Sequence, residues 1–143
     1  MKKFDILPEK GGLTIRIIAS TKVGFVTAAF EGMFAVAQPE FTEPSEEKRV
    51  FADTSERPFS VQAGDFRELT VKLLKSAWSA AAAGKEAFTG IRFKLITDTK
   101  TEGDFMGLPV TGFGRKIKDV VCDSPVIQKN QVGNWEAQLS FRA

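Results

Sequence analysis

The stretch FDILPEKGGLTIRI, from Phe4 to Ile17, predicts how the fold begins. It consists of two extended apolar runs joined by a polar turn, and the pair Gly11-Gly12 stands where the second run begins. In that second run, apolar side chains at every other position predict a strand with one buried face. The apolar set is Leu13, Ile15 and Ile17. The polar turn is either a chemical site or the place where a site has been lost.

Two helices are predicted from apolar residues at helical spacing. Ser20 is expected to cap the first helix, over residues 21–38, and the second is expected to begin at Asp65 and end at Gly84. Asp65 stands three residues before Glu68, which is the spacing of a capping box. The apolar stripes, interpreted as core, are Val23, Val26, Phe30, Met33 and Ala37 in the first helix, and Phe66, Leu69, Leu73, Ala77 and Ala80 in the second.

Most other segments are predicted to be extended, apart from a solvated loop at PEFTEPSEEKR. The predicted strands are RPFSVQA before the second helix, and GIRFKLIT, FMGLPVTG, KIKDVVCD, PVIQKN and NWEAQLSFRA after it. Turns at Glu102-Gly103 and Gly133-Asn134 favour antiparallel neighbours. A chain of 143 residues with 43% hydrophobic content suits one core. The sequence therefore predicts an α+β fold, a single domain over residues 1–143 with two helices packed on a mostly antiparallel or mixed sheet.

Histidine is absent from the chain, and this excludes several classes of site. Ser-His-Asp and Cys-His catalysis and His-rich zinc sites all need an imidazole. The one cysteine, Cys122, excludes an intramolecular disulfide, suits a reducing compartment and is interpreted as a core residue. The chain is therefore not expected to be an enzyme.

The charge balance is close to neutral, at +2 from 20 basic and 18 acidic residues. This balance neither implies nor excludes direct binding of nucleic acid. The N-terminal segment MKKFDILPEK lacks the apolar stretch of a signal peptide, and no apolar run reaches the roughly 20 residues of a membrane span. The sequence predicts a cytoplasmic protein without a membrane partner.

Two groups of residues between Gly103 and Asp123 are candidate local sites. The glycines of GDFMGLPVTGFGR are interpreted as turns and bulges, because no Lys-Ser/Thr pair follows them as in a phosphate loop. After them, Lys116 and Lys118 are expected on one face of a strand, as phosphate contacts or as a solvated edge. Asp119 and Asp123 would lie about 13 Å apart on a strand, too far to bind one ion without help.

The order of several short strings resembles the archease family. The strings are ILPEKGGLTIR, STKVGFVTAAFEGMFAV, LTVKLLKSAW, GLPV, KDVVCD and WEAQLSFRA. They are similar, in this order, to the family's first strand, its Thr/Ser-initiated helix, its Leu-Leu-x-x-Trp helix, its Gly-x-Pro segment, its Lys-Ala-Val-Thr-Tyr-His string and its Trp-containing C-terminus. The resemblance covers nearly the whole chain, and the order of the strings carries it more than any one of them.

The resemblance implies an accessory role. Archeases assist the RtcB-type RNA ligase that seals tRNA halves, by promoting guanylylation of the ligase and its turnover. The family's site is acidic and binds a divalent ion such as calcium through two aspartates and the terminal carboxylate, the oxygen donors that such an ion prefers.

This sequence departs from the family's pattern at the site. The first-motif aspartate falls on Gly12, its histidine on Glu9, and the penultimate aspartate on Arg142. The histidine of the Lys-Ala-Val-Thr-Tyr-His string becomes Asp123, whereas its lysine persists as Lys118. Of the implied ligands only the terminal carboxylate, on Ala143, is kept. The resemblance therefore implies a degenerate metal site and no cofactor.

Three hypotheses follow. The first is a divergent archease-like accessory of an RNA ligase in tRNA splicing or RNA repair, in which Arg142 replaces the metal and pairs with Glu9 or with the Ala143 carboxylate. Around this site, Glu9, Lys118, Asp119 and Asp123 are candidates for partner contact. The second is a repurposed protein-interaction module without a ligase role. The third, an enzyme using Glu9 and Asp123, would need a strongly raised carboxylate pKa. For Arg142 itself, the alternative is a frayed, solvated C-terminal residue.

Overall fold

The computed structural model describes residues 1–8, 13–42, 55–123 and 127–142. Within these ranges the chain forms nine strands and two helices. The strands are β1 (Lys2–Ile6), β2 (Thr14–Ala19), β3 (Pro39–Phe41), β4 (Ser55–Gln62), β5 (Glu86–Ile96), β6 (Lys100–Phe113), β7 (Asp119–Cys122), β8 (Gln128–Lys129) and β9 (Trp135–Arg142), and the helices are α1 (Lys22–Ala37) and α2 (Phe66–Gly84). Every pairing between the described strands is antiparallel, and the predicted α+β class is confirmed.

The first sheet contains the hairpin predicted from the opening stretch. Strands β1 and β2 pair with each other, and the sheet continues through β9 to β7, with β8 also pairing with β9. Ile15 and Ile17 are fully buried, as their alternation predicts, and they lie opposite Leu139 and Ala137 of β9. These apolar partners form the inner face of the sheet.

The second sheet is built around the long strand β6. Strands β3 and β4 pair with one side of β6, and β5 pairs with the other. The prediction of one sheet is therefore wrong, because the strands divide between two. The loop predicted at PEFTEPSEEKR is also wrong at its start, where Pro39–Phe41 forms β3, and residues 43–49 of that segment lie outside the described residues.

Helix α1 lies between the two sheets and not on the surface of one. It contacts β1 and β2 of the first sheet and β5 of the second. Phe30 stacks on Phe105 of β6 with ring centroids 5.9 Å apart, and Phe34 meets Phe88 of β5 edge-on at 5.7 Å. Because α1 is buried on most of its circumference, the predicted stripe describes only part of its buried surface. Val23, which was assigned to that stripe, is 42% exposed.

The cap of α1 is Thr21, so the assignment of this role to Ser20 is wrong. Thr21 Oγ1 accepts a hydrogen bond from the amide of Gly24 at 2.9 Å. The hydroxyl of Ser20 instead accepts from the N-terminal amine of Met1 at 2.9 Å. Because the hydroxyl of Ser20 is bonded to Met1, Thr21 is left to satisfy a free amide at the start of the helix.

We expect Thr21→Ala to lower the free energy of unfolding by about 1 kcal/mol, the usual loss when a helix cap is removed. Ser20→Ala is the matched control, since it removes an exposed hydroxyl that does not cap, and it should cost less than about 0.5 kcal/mol. Urea unfolding of both variants measures the two values. A larger loss for Ser20→Ala than for Thr21→Ala would contradict the assignment.

Helix α2 begins with the predicted Asp65 cap, in a modified form. Asp65 Oδ1 accepts from the amide of Glu68 at 2.8 Å, but Glu68 Oε2 accepts from the amide of Gly64 at 3.1 Å and not from Asp65. The helix ends at Gly84, as predicted, and Lys85 follows in the left-handed conformation with φ 52°. The predicted stripe of α2 is buried except Ala80, which is half-buried.

The glycines predicted to make turns and bulges have mixed outcomes. Glu102-Gly103 is not a turn, because both residues lie inside β6. A Cβ on Gly103 would lie 2.0 Å from the carbonyl oxygen of Arg92, so glycine is required there by the close approach of β5. Two bulges fall in β5, between Phe88 and Gly90 and again after Phe93. A third falls in β6 beside Gly112, as predicted, because Gly112 pairs with Glu40 whereas Val110 pairs with Phe41. The turn predicted at Gly133-Asn134 is confirmed, with Gly133 at φ 87°.

Candidate functional site

Three adjacent strands bring together the strings that the sequence marked as site-bearing. Strand β9 lies between β2 and β7, so that WEAQLSFRA has ILPEKGGLTIR on one side and KDVVCD on the other. The amide of Phe141 donates to the carbonyl of Leu13 at 2.8 Å, and the amide of Lys118 donates to the carbonyl of Arg142 at 2.6 Å. Lys118 and Arg142 therefore meet at one end of the first sheet.

Asp119 belongs to the same end of the sheet, because it lies opposite Arg142 in the pairing of β7 with β9. Its Oδ1 lies 3.2 Å from Lys75 Nζ of α2 and accepts from the amide of Val120 at 2.9 Å. We call Lys75, Lys118, Asp119 and Arg142 the sheet-end cluster. It holds three cations around one carboxylate.

The cations keep Asp119 ionised. The pKa of Asp119 lies below its ordinary value of 3.8, first because Lys75 donates a hydrogen bond to the carboxylate and then because the Val120 amide does so. The positive charge of Arg142 acts in the same direction. A carboxylate with a lowered pKa is a weak proton acceptor, so Asp119 is suited to hold cations in place and not to act as a general base.

Because the pKa of Asp119 is lower in the folded chain than in the unfolded chain, its ion pairing stabilises the fold above the ordinary pKa. That contribution is lost as the pH falls through the lowered pKa. We expect Asp119→Asn to reduce the loss of stability as the pH falls below the ordinary pKa of 3.8. Lys75→Gln should reduce it in part, because the Val120 amide and Arg142 still lower the pKa of Asp119. Urea unfolding across this range measures it. An unchanged pH dependence in both variants would contradict the assigned ion pair.

Asp123 lies beyond the other end of β7 and is not part of the sheet-end cluster. Its Oδ2 accepts from Ser140 Oγ at 2.5 Å, and that hydroxyl lies 3.0 Å from Thr14 Oγ1 of β2. Asp119 and Asp123 thus have separate partners, in agreement with their predicted separation along a strand. Asp123 links three adjacent strands through hydroxyl groups.

Arg142 is the last residue of β9, with its backbone held by Lys118. This contradicts the alternative in which Arg142 is frayed, although its side chain is exposed. Glu9, Gly12 and Ala143 lie outside the described residues, so the predicted pairing of Arg142 with Glu9 or Ala143 stays a prediction. Within the described ranges, no three Cys, Asp or Glu side chains form a group that could hold a metal ion.

A groove that the sequence did not predict lies beside the sheet-end cluster. It has a volume of about 430 Å³ and runs between the second half of α2, the end of β6 and the segment before β7. Its apolar lining includes Trp78 and Phe113, whose ring centroids lie 4.7 Å apart. Its cationic lining is Lys85, Lys116 and Lys118. We call this feature the lysine groove.

The lysine groove borders the sheet-end cluster. A smaller cavity of about 170 Å³ shares Trp78 and Lys118 with the groove and is also lined by Lys75 and Asp119. The prediction that Lys116 and Lys118 share one face of a strand is wrong, because β7 begins only at Asp119. Both lysines precede that strand, where the chain passes the mouth of the groove.

Cys122 is a core residue, as predicted, and it fixes α2 to the first sheet. Its side chain is 3% exposed, and its carbonyl accepts a hydrogen bond from Arg67 Nη2 at 2.8 Å. Together with the ion pair of Lys75 with Asp119, this contact holds α2 along β7. The position of Trp78, one helical turn beyond Lys75, is thereby fixed against the sheet.

Comparison of the chain with protein-family models found no model that matches, and comparison with curated proteins found no match either. Among the described residues, no helix combines the length and the apolar character needed to cross a membrane.

Proposed function

We propose that this protein is a non-enzymatic accessory protein of the archease type, which acts on an RtcB-type RNA ligase in tRNA splicing or RNA repair. In this proposal Arg142 takes the place of the family's metal ion, and calcium is not required. The observation that carries it is the convergence of Leu13, Lys118 and Arg142 at one end of three neighbouring strands.

The positions of the strings support the proposal. The first string leads into β2, and the next forms α1 with a threonine cap. The Leu-Leu-x-x-Trp string lies in α2, and the last two site-bearing strings lie on the neighbouring strands β7 and β9. A site built from residues that are far apart in the sequence requires such neighbouring strands to bring them together.

The charges of the sheet-end cluster support the replacement of a metal by a fixed cation. Arg142 supplies a permanent positive charge, since the guanidinium does not lose its proton in proteins. Asp119 lies opposite it in the sheet, and Lys75 and Lys118 add positive charge beside it. A cluster of this kind repels a divalent cation and attracts an acidic surface of a partner.

The chain is proposed to act by binding and not by catalysis. The sheet-end cluster contains no histidine, and the pKa of its one carboxylate is lowered. The buried free thiol of Cys122 suits the reducing cytoplasm, where we place the protein. A repurposed interaction module is the alternative, and it differs from the first proposal only in its partner.

The test is a guanylylation assay with an RtcB-type ligase, with and without this protein. We expect the protein to raise the rate, and Arg142→Gln and Lys118→Gln each to reduce the stimulation by roughly tenfold, as for the loss of one charged contact. Lys3→Gln is the matched control, because Lys3 lies on β1 at the opposite edge of the same sheet. It should leave the stimulation unchanged.

Absence of stimulation with or without calcium would contradict the ligase role and favour the interaction module. A stimulation that Lys3→Gln reduces as much as Arg142→Gln would contradict the assignment of the sheet-end cluster. Circular dichroism of each variant shows whether a loss of stimulation comes from loss of folding.

A further inference from the structure

The lysines of the lysine groove differ from most other lysines of the chain. Seven lysines lie within 4.0 Å of a carboxylate: Lys2, Lys3, Lys22, Lys72, Lys75, Lys94 and Lys100. In the part of the chain that the structure describes, no carboxylate lies within ion-pair distance of Lys85, Lys116 or Lys118. Three lysines without an ion-pair partner among the described residues therefore line one cavity, which is a setting that attracts an anion.

The apolar part of the groove suits an aromatic ligand. Trp78 and Phe113 both line the groove and are half-buried, and their ring planes meet at an angle of 59°. The indole ring of Trp78 also lies near the ring of Phe34, with centroids 6.4 Å apart. No described residue accepts a hydrogen bond from the indole N–H of Trp78, although this donor usually finds a partner when it is buried.

Lys85 and Gln38 are the two described non-glycine residues with a positive φ, and each follows the end of a helix. Lys85 takes the left-handed conformation at the end of α2, with φ 52°, where glycine is the usual residue because it avoids steric strain. A glycine does precede it, at Gly84, but the left-handed position itself carries a lysine. That lysine lines the groove and adds a positive charge to it.

From these observations we propose that the lysine groove binds a phosphorylated nucleotide. The base packs against the rings of Trp78 and Phe113, and the phosphate is held by Lys85, Lys116 and Lys118. The volume of about 430 Å³ is within the range of small-molecule sites. Stacking on an aromatic side chain combined with lysine contacts to phosphate is the common chemistry of single-strand and nucleotide recognition. This inference does not rest on the proposed ligase role.

The nucleotide has two sources, a free mononucleotide or the phosphorylated end of an RNA strand. Both present the same base and phosphate to the groove. The groove and the smaller cavity beside the sheet-end cluster share Trp78 and Lys118, so a strand bound in the groove would extend next to that cluster.

The indole N–H resonances of the two tryptophans, Trp78 and Trp135, provide a direct measurement. Trp135→Phe assigns them in a ¹H–¹⁵N spectrum, and Trp135 lies on β9, outside the groove, as an internal control. We expect guanosine monophosphate to shift the Trp78 signal saturably, at concentrations below about 1 mM. Guanosine without phosphate and inorganic phosphate alone should each bind at least roughly tenfold more weakly.

The variants separate the groove from general charge effects. Lys116→Gln should weaken binding of guanosine monophosphate by about fivefold, the effect of one exposed charge contact, and Lys3→Gln should not weaken it. Lys85→Gly should weaken binding similarly while raising the melting temperature by about 3 °C, because glycine relieves the left-handed strain. A loss of binding in this variant cannot be explained by unfolding.

A short oligouridylate with a terminal phosphate distinguishes the two sources. Tighter binding than that of the mononucleotide indicates an RNA end, equal or weaker binding indicates a free nucleotide, and both results support the proposal. The proposal is overturned if guanosine monophosphate leaves the Trp78 signal unchanged up to about 10 mM. It is also overturned if polyglutamate shifts that signal equally, since the groove would then be a site for an acidic protein. Lys85 and Lys116 lie outside the sheet-end cluster, so failure here leaves the ligase assay unaffected.

Discussion

Phe105→Ala is expected to lower the free energy of unfolding by about 3–5 kcal/mol, the largest single effect predicted for this protein. The ring of Phe105 is 1% exposed and stacks on three others, at centroid distances of 4.5 Å to Phe59, 4.9 Å to Phe88 and 5.9 Å to Phe30. These rings belong to β4, β5 and α1. Removal of the ring of Phe105 therefore leaves a cavity where three elements meet.

Thermal and urea unfolding of Phe105→Ala measure this loss, which corresponds to a fall in melting temperature of roughly 10–15 °C. Phe93→Ala is the matched control, because Phe93 is only half-buried and meets Phe59 alone among the described rings, at 6.1 Å. It should cost markedly less. Equal losses for the two variants would contradict the central position of Phe105 in the core.

Gly103→Ala is expected to lower the free energy of unfolding by about 3 kcal/mol, at the upper end of the usual cost of overpacking. The added methyl group would lie 2.0 Å from the carbonyl oxygen of Arg92 and 3.0 Å from the ring of Phe59. Because the first of these atoms belongs to the backbone of β5, the clash cannot be relieved by a change of side-chain rotamer. Strand β5 would have to move away from β6.

Gly112→Ala is the control for Gly103→Ala, since both glycines lie in β6 and both variants add one methyl group. A Cβ on Gly112 meets no described atom within 4 Å. We expect a change of less than about 0.5 kcal/mol at Gly112. If both variants lose the same stability, the effect comes from the general cost of alanine in this strand and not from the contact with Arg92.

Local patterns in the sequence were sufficient for the strand β2, for both helices and for the α+β class. Alternation placed Ile15 and Ile17 on the buried face, and the Asp65 cap was visible from its spacing to Glu68. These features depend on residues close together in the chain, where the hydrogen bonds and side-chain directions of a helix or strand repeat regularly.

The division into two sheets was missed, although a signal for it was present. Within α1 only Lys22 and Glu31 carry charge, and such a helix, apolar on most sides, is typical of a central layer. The apolar stripe at helical spacing predicted burial of only one face of α1. The requirement for glycine at position 103 was missed for a different reason. The carbonyl oxygen of Arg92 approaches it from another strand, and no pattern among the neighbouring residues indicates this contact.

The lysine groove was not predictable from local patterns, because its lining comes from three separate segments. The sequence indicated Lys116 and Lys118 as candidate phosphate contacts but predicted them on a strand. Lys85 was not a candidate, because it only follows the end of a predicted helix. One signal was available: a lysine directly after the C-terminal glycine of a predicted helix stands where the backbone turns. Its partners in the groove follow only from the packing of α2 against β6 and β7.

Thermal unfolding in the presence of calcium tests the central claim, that a fixed cation replaces the metal of an archease-type site. A bound ion at 100 times its dissociation constant would stabilise the fold by about 2.7 kcal/mol. We predict that the unmodified chain has the same melting temperature in millimolar calcium as in the presence of a chelator, when both are measured at the same ionic strength. A saturable, calcium-dependent rise in that temperature would contradict the claim.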